Sequence, residues 1–307
     1  MAYMYKNVYF GNKIVNSEDA HLSIASSAVL YGLSVYTVFP ISINEHGKKI
    51  GFRLIDHFER LLNSAKIIGI DTFEPEWSYK KFEKSVRELV DANTITENVY
   101  VRVTVHVDAQ ITGTRSRGLS TILSMFIYNA VPILNPNGVR LKTSVWRRIP
   151  DYAIPSRAKI NGAYVNSVLA KQDALDSGYD DCIFLDINGH VCELSAANIF
   201  IVRHGKVITP DTTSDLLEGI NRQTVIELVQ KELGLEVIER LIDLTELYIA
   251  DEVFATGTST NIAPVIEIDA RKIASGKPGT ITKKLQKIHH DIRHGMSTSE
   301  KNWLTFL

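Results

Sequence analysis

Ser156-Arg157-Ala158-Lys159-Ile160-Asn161-Gly162-Ala163-Tyr164 sets a lysine between a proline-bounded loop and the start of a helical pattern, where it has no packing role to fill. An amine that forms a Schiff base must be partly deprotonated, so such a lysine needs surroundings that depress its pKa. Gly162 would let a flat ligand approach the backbone closely, and Tyr164 can hydrogen-bond near the same amine. Taken alone, the segment equally describes a surface lysine. Other residues are ambiguous in the same way. Glu193 is a hairpin carboxylate, Thr258 follows Gly257 in what reads as a turn, and Arg60 stands four residues after Asp56 at ion-pair spacing. Tyr100 and Arg102 are two apart on a strand pattern, so their side chains share one face.

The elements that must carry these residues follow from periodicity. Val8–Phe10 and Lys13–Val15 bracket Gly11-Asn12 as a hairpin. Leu54, Phe58, Leu61, Leu62 and Ala65 mark one face of a helix over 54–68, and a looser helical pattern covers 77–90. Stretches 99–106 and 121–128, rich in β-branched and aromatic residues, read as paired strands with an exposed loop at 113–118 between them. Pro132, Pro136 and Gly138 make 131–138 a linker, giving a small N-terminal domain over 1–130 and a larger one over 139–307. In the second part a strand spans 139–146 and a helix 163–176. A hairpin over 182–195 turns at Asn188-Gly189, and a strand follows over 198–203. Helices over 221–233, stopping at Gly234, and 281–294 complete an α+β pattern.

Composition narrows the function classes. With 34 Lys+Arg against 35 Asp+Glu there is no basic surplus to suggest nucleic acid or an anionic membrane. No run is long enough to span a bilayer and the N-terminal residues lack an apolar signal core, which points to the cytoplasm. A two-residue turn at Asn188-Gly189 would set Ile187 against His190 and Leu185 against Cys192, leaving Cys182 unopposed, so the two cysteines are expected to stay reduced. There is no Gly-x-Gly-x-x-Gly loop and no Walker loop, and no metal site is expected. His289-His290 and His294 read as a solvated helix face, and Asp180-Asp181 beside Gly178 as a turn.

Several blocks together resemble the class IV (fold type IV) aminotransferases. They are Tyr31-Gly32-x-Ser34-Val35, Arg60-Leu61-x-x-Ser64-Ala65, Trp146-Arg147-Arg148, Ala158-Lys159-x-x-Gly162-x-Tyr164 and Gly178-Tyr179. Further on come Leu185-Asp186-x-Asn188-Gly189, Glu193 to Phe200, Leu217-x-Gly219-Ile220-x-Arg222 and Ala250-Asp251-Glu252-Val253-Phe254-x-x-Gly257-Thr258. The blocks keep their order over nearly the whole chain and are most similar to the branched-chain enzymes. The resemblance implies a two-domain fold like that of D-amino-acid aminotransferase and pyridoxal 5'-phosphate as cofactor. It casts Lys159 as the Schiff-base lysine and proton carrier, Glu193 as the carboxylate facing the pyridine nitrogen, and Arg60 and Thr258 as phosphate ligands. Gly219-Ile220-Asn221 would cradle the phosphate at a helix N-terminus, with Tyr164, Asn198 and Leu217 completing the cofactor set. Tyr31, Tyr36, Tyr100, Arg102, Thr258 and Ser259 match substrate positions, Tyr31 being the one often donated across a homodimer interface.

The implied reaction moves an amine from a branched-chain L-amino acid to 2-oxoglutarate. The chain departs from the branched-chain pattern where it has Tyr36-Thr37-Val38 in place of Phe-Glu-Gly, Asn221 in place of threonine and Glu218 in place of proline. It also lacks a Trp-containing loop over 126–132. D-amino-acid and (R)-amine transaminases, and aminodeoxychorismate lyase, share the cofactor residues and differ around the substrate, so they stand as alternatives. A cofactor-binding protein without activity is opposed by the joint presence of Lys159, Glu193 and Arg60.

Overall fold

The computed structural model describes residues 3–297 and 299–307, which cluster into two units. The first comprises 1–131, 158–163 and 291–307, the second 132–157 and 164–290. Two stretches assigned from sequence to the second half therefore belong with the first. The segment 158–163 is drawn in because Ile160 pairs with Val35 and the Asn161 amide donates to the Ser34 carbonyl. The C-terminal residues are drawn in because Leu304–Phe306 adds an edge strand to the first sheet.

In the first unit the strands are β1 (Asn7–Phe10), β2 (Lys13–Asn16), β3 (Ser34–Ile43), β4 (Lys49–Phe52), β5 (Val99–Val107) and β6 (Thr121–Asn129). With Leu304–Phe306 they form a seven-stranded antiparallel sheet, ordered 304–306, β4, β3, β5, β6, β1, β2. Short helix α1 (Ser27–Tyr31) precedes β3, capped by the Ser26 hydroxyl and closed by Gly32 in the left-handed conformation. Gly32 also lies close to Gly162, and a Cβ there would come within 2.9 Å of the Gly162 Cα. Along β5, Val99, Val101, Val103, Val105 and Val107 bury one face against α2 (Leu54–Ile67) and α3 (Tyr79–Asp91). The other face carries Tyr100, Arg102, Thr104 and His106, as the period of two requires. Trp77, at the start of the helical pattern read from sequence, precedes α3. Ser78 is the true N-cap, its side chain accepting from the Lys81 amide.

The second unit holds β7 (Val139–Thr143), α4 (Tyr164–Asp176), β8 (Asp181–Leu185), β9 (Val191–Leu194), β10 (Asn198–Arg203), β11 (Lys206–Thr209) and α5 (Ile220–Leu233). It continues with β12 (Val237–Glu239), α6 (Leu244–Tyr248), β13 (Glu252–Gly257), β14 (Asn261–Ile268), β15 (Arg271–Lys272) and α7 (Thr280–Arg293), whose last residues cluster with the first unit. The sheet runs β12, β11, β10, β13, β14, β7, β8, β9, and a further pairing of β9 with β10 closes six of its strands into a ring. That closing pair is Asn198 opposite Glu193. The closure leaves neither of these two strands as a free edge in this ring and buries both residues.

Several expectations change. The hairpin between β8 and β9 does not turn on two residues. The Asp186 carboxylate accepts from the Asn188 and His190 amides, Gly189 takes φ +95°, and Leu185 pairs with Val191 instead of Cys192. Cys182 and Cys192 are free, and both are buried in one small cluster with Ala170, Ala174 and Phe184. Burial pushes both thiols well above their usual range. Asp181 is no turn residue. It is buried at the start of β8, accepts from the Ser195 hydroxyl and pairs with Lys171. His289 is buried and His294 bonds to Asn98, so that helix face is not wholly solvated. The strand expected over 139–146 ends at Thr143. Among the described residues no helix is long and apolar enough to cross a membrane, and no cluster of His, Cys, Asp or Glu could hold a metal ion.

The polar face of the first sheet carries a pH liability. His106 bonds to the Ser124 hydroxyl, and burial, with Arg102 adding to it, lowers its pKa from 6.5 to about 4. The folded chain holds it neutral while the unfolded chain protonates it below about 6.5. Between those values the unfolded state binds more protons, so stability falls as pH drops through this window and levels off below about 4. After discounting for partial exposure, the loss is about 1–2 kcal/mol. Urea unfolding at pH 7 and 4.5 should show His106→Gln losing less stability than the parent; equal losses would contradict the assignment.

Candidate active site

Lys159 is built into the first unit through its backbone. Its amide donates to the Ser64 hydroxyl (3.0 Å) and its carbonyl accepts from the Tyr36 amide (3.0 Å). Asn161 is tied twice to Ser34, by its own amide and by its side-chain nitrogen (2.9 Å). A chain so anchored on both sides presents the lysine at a defined place, and the Nζ lies 4.8 Å from the centre of the Tyr36 ring. The Arg102 guanidinium covers the same ring at 3.8 Å and donates to the Asn161 carboxamide oxygen. An amine, a guanidinium and an aromatic surface therefore share one locality. Tyr100 is on the same strand face but fully buried. Its ring packs against Tyr128 and its hydroxyl bonds to Arg293, which makes it a support for this face. Tyr31 stands apart on α1, 46% exposed, its hydroxyl accepting from the Gly113 amide.

Arg60 does not pair with Asp56, which binds Arg53 instead (2.8 Å). Its Nη2 donates to the Thr37 hydroxyl (3.3 Å) across the interface between α2 and β3. Thr37 in turn contacts Nδ1 of His57 (2.8 Å), one helical turn before Arg60. Ser64, one turn after it, donates to the Arg60 carbonyl (2.7 Å) while receiving the Lys159 amide. Sequence reasoning marked Thr37 only as a departure from the branched-chain pattern and gave His57 and Ser64 no role of their own. The available signal was the stripe Leu54, His57, Phe58, Leu61, Ser64, Ala65, in which two polar residues occupy buried positions of an otherwise apolar face.

The second unit arranges its residues around Glu193. One carboxylate oxygen is paired with Arg148 (2.8 Å); the other accepts from the Asn198 side chain (3.1 Å) and the Leu217 amide (3.3 Å). Asn198 also donates to the Leu217 carbonyl (2.9 Å), clamping the loop that leads to α5. Gly219 is the N-cap of α5 without a side-chain cap, so Ile220, Asn221 and Arg222 open the helix with amides that have no intrahelical acceptor. A Cβ on Gly219 would collide with the Asn198 carboxamide, so a larger residue would have to displace that clamp. Asn221 turns its side chain inward to the Gly257 carbonyl (2.8 Å), beside Thr258, and so is not the helix cap. The Ser259 carbonyl accepts from the Ile133 amide, and Glu218 pairs with Arg157 (2.9 Å) at an exposed position. Tyr164 opens α4 directly after the Lys159 segment. Arg148 is the residue that sequence reasoning left without a role.

A family model for amino-transferase class IV matches residues 34–268. The chain belongs to the class IV aminotransferases. Among relatives of this class IV aminotransferase, a probable branched-chain-amino-acid aminotransferase of Aquifex aeolicus is 40% identical over 300 residues, 97% of this chain and 95% of that one. The branched-chain aminotransferase of Thermoproteus uzoniensis, solved with norvaline, superposes with a TM-score of 0.93 at 34% identity, covering 98% of this chain and 99% of that one. The branched-chain amino acid aminotransferase of Thermobaculum terrenum, solved in its PLP-bound holo-form, gives 0.92 at 33% identity, with 98% of each chain covered. The class IV aminotransferase fold, with its mixed α and β content, is thus shared along nearly the whole length.

Proposed function

We propose that this aminotransferase carries pyridoxal 5'-phosphate and transfers the amino group of leucine, isoleucine or valine to 2-oxoglutarate, giving the branched 2-oxo acid and L-glutamate. The observation that carries the reading is the Lys159 amine and the Arg102 guanidinium meeting on the Tyr36 ring. A site for both half-reactions needs an amine at the reacting carbon, a cation for a distal carboxylate and an apolar surface for an aliphatic chain. The names of the relatives point the same way.

The residues present suit the cofactor. The uncapped N-terminus at Gly219-Ile220-Asn221 is suited to an anion, as are Thr258 and the Arg60 guanidinium. Bound pyridoxal phosphate supplies an aldehyde that condenses with amines and a ring that takes up the electrons released at Cα. Lys159 holds the cofactor between turnovers, and its amine moves the proton to and from Cα. Glu193 keeps a proton on the pyridine nitrogen, and Asn198 with the Leu217 amide holds that carboxylate in place. Tyr164 orients the cofactor beside the lysine. Tyr36 and Arg102 receive the substrate, with Tyr100 behind them and Thr258 and Ser259 for the α-carboxylate end. Exposed Val29, Leu30 and Tyr31 on α1 support a homodimer in which Tyr31 completes the neighbouring protomer's pocket. A balanced charge and two reduced cysteines are consistent with a cytoplasmic enzyme.

Tyr36-Thr37 in place of the branched-chain Phe-Glu favours a second reading, a D-amino-acid or (R)-amine transaminase with the same cofactor residues. Single-turnover spectra of the purified holoenzyme with L-leucine, L-glutamate, D-alanine and (R)-1-phenylethylamine separate the two. L-Leucine and L-glutamate are expected to bleach the visible cofactor band. Bleaching by D-alanine or the amine, with none by L-leucine, would establish the second reading in its place.

A further inference from the structure

In the first unit three side chains, Thr37 and His57 buried and Arg60 part-buried, form a chain of hydrogen bonds. Arg60 Nη2 can only donate, so the Thr37 Oγ1 accepts from it at 3.3 Å. The hydroxyl has one hydrogen of its own, and Nδ1 of His57 lies 2.8 Å away. His57 is buried against Phe39, and burial first, then the charges of Arg60, Lys159 and Arg53, lowers its pKa well below the usual value. In the tautomer that leaves Nδ1 bare, the neutral imidazole accepts the threonine hydrogen, and the directions are Arg60 to Thr37 to His57. Thr37 is fully buried on β3 opposite Val103, so its rotamer is not shared with solvent. The backbone of Arg60 is held separately, by Ser64 Oγ, which also receives the Lys159 amide.

We propose that Thr37 and His57 are positioning residues that aim the Arg60 guanidinium at the cofactor phosphate. This rests on the reading that Arg60 is a phosphate ligand. Threonine is suited to the task because it can accept from the guanidinium while remaining uncharged. A carboxylate at this position, such as the glutamate of the branched-chain pattern, would meet Arg60 with a full negative charge and compete with a phosphate dianion for it. His57 completes the device by taking the hydroxyl hydrogen, which leaves the oxygen lone pairs turned to Arg60.

The test compares affinities of the apoprotein for pyridoxal 5'-phosphate and for pyridoxal. Both aldehydes reach the same Lys159 amine and differ only in the phosphate. Thr37→Val keeps the shape of the side chain and removes the hydroxyl. It is expected to weaken pyridoxal 5'-phosphate binding roughly tenfold, in line with the loss of a hydrogen bond to a charged group, while leaving pyridoxal unchanged. Thr37→Ser should restore the parent ratio of the two affinities, and His57→Phe should lower it. In an Arg60→Gln background Thr37→Val should have no further effect. If Thr37→Val fails to fold, the serine and phenylalanine variants still decide, since equal ratios in both and in the parent overturn the proposal. Equal weakening for both aldehydes also overturns it, because that marks a general disturbance of the lysine. A normal phosphate preference in Arg60→Gln removes the phosphate reading and the proposal together. A lost preference in Arg60→Gln, with a normal one in Thr37→Val, refutes the positioning role alone.

Discussion

Lys159→Ala is expected to reduce transamination by at least about 10⁴-fold, because in the proposed reaction one side chain both holds the cofactor and moves the Cα proton. The fold should survive. The backbone of Lys159 is tied by its amide to Ser64 and by its carbonyl to Tyr36, and alanine keeps both. What disappears is the amine 4.8 Å from the Tyr36 ring. The cofactor should still bind through the second unit's residues at Gly219–Asn221 and Thr258, but without covalent attachment. Borohydride reduction followed by mass spectrometry of the denatured chain reads this directly. The parent should carry the cofactor's mass on Lys159 and the variant should carry none. Attachment of equal extent in Lys159→Ala would show that another amine is the anchor.

The role proposed for Lys159 rests in sequence on its companions, and the backbone contacts show why its own segment does not reveal its placement. Nothing within 156–164 reveals that Ser64 receives its amide, since the two are 95 residues apart and meet only when 158–163 joins the first sheet. Periodicity recovered what depends on local repetition: the apolar stripe of α2, the alternation of β5 with its valines inward, and the stop of α5 at Gly234. It missed what depends on side chains capping or clamping the backbone. Asp186 turned an expected two-residue hairpin into a longer one, and the carboxylate of Glu252, from a distant strand, receives the amides of Ile281 and Thr282 at the start of α7. Polar residues at buried positions were read as a turn or as a solvated face. Asp181 and His289 are the examples, each held by partners remote in sequence or by burial that no local pattern encodes. The same blindness hid Arg148, which lies 45 residues before the carboxylate it pairs with.

That pair sets the second large effect. Glu193→Gln is expected to lower the turnover rate by roughly 10²–10³-fold, comparable to removing one preorganised electrostatic contact from an active site. In the role proposed for Glu193, a neutral carboxamide no longer stabilises a proton on the pyridine nitrogen, so the ring takes up electrons less readily. The substitution also conflicts with its surroundings. One oxygen of Glu193 meets Arg148, the other meets Asn198 and the Leu217 amide, and each of these three is a donor. Whichever way the carboxamide turns, its NH2 faces a donor, and Arg148, only 14% exposed, is left without its counter-charge. Breaking such a pair from one side costs about 3 kcal/mol of stability. The two consequences separate in a cycle with Arg148→Met. The double variant should recover much of the stability, because the stranded charge is gone, yet none of the rate, because the nitrogen still lacks its carboxylate. Urea unfolding reads the first quantity and single-turnover bleaching of the cofactor band the second. Recovery of rate together with stability would mean that Glu193 serves only to neutralise Arg148, and its place opposite the pyridine nitrogen would have to be given up.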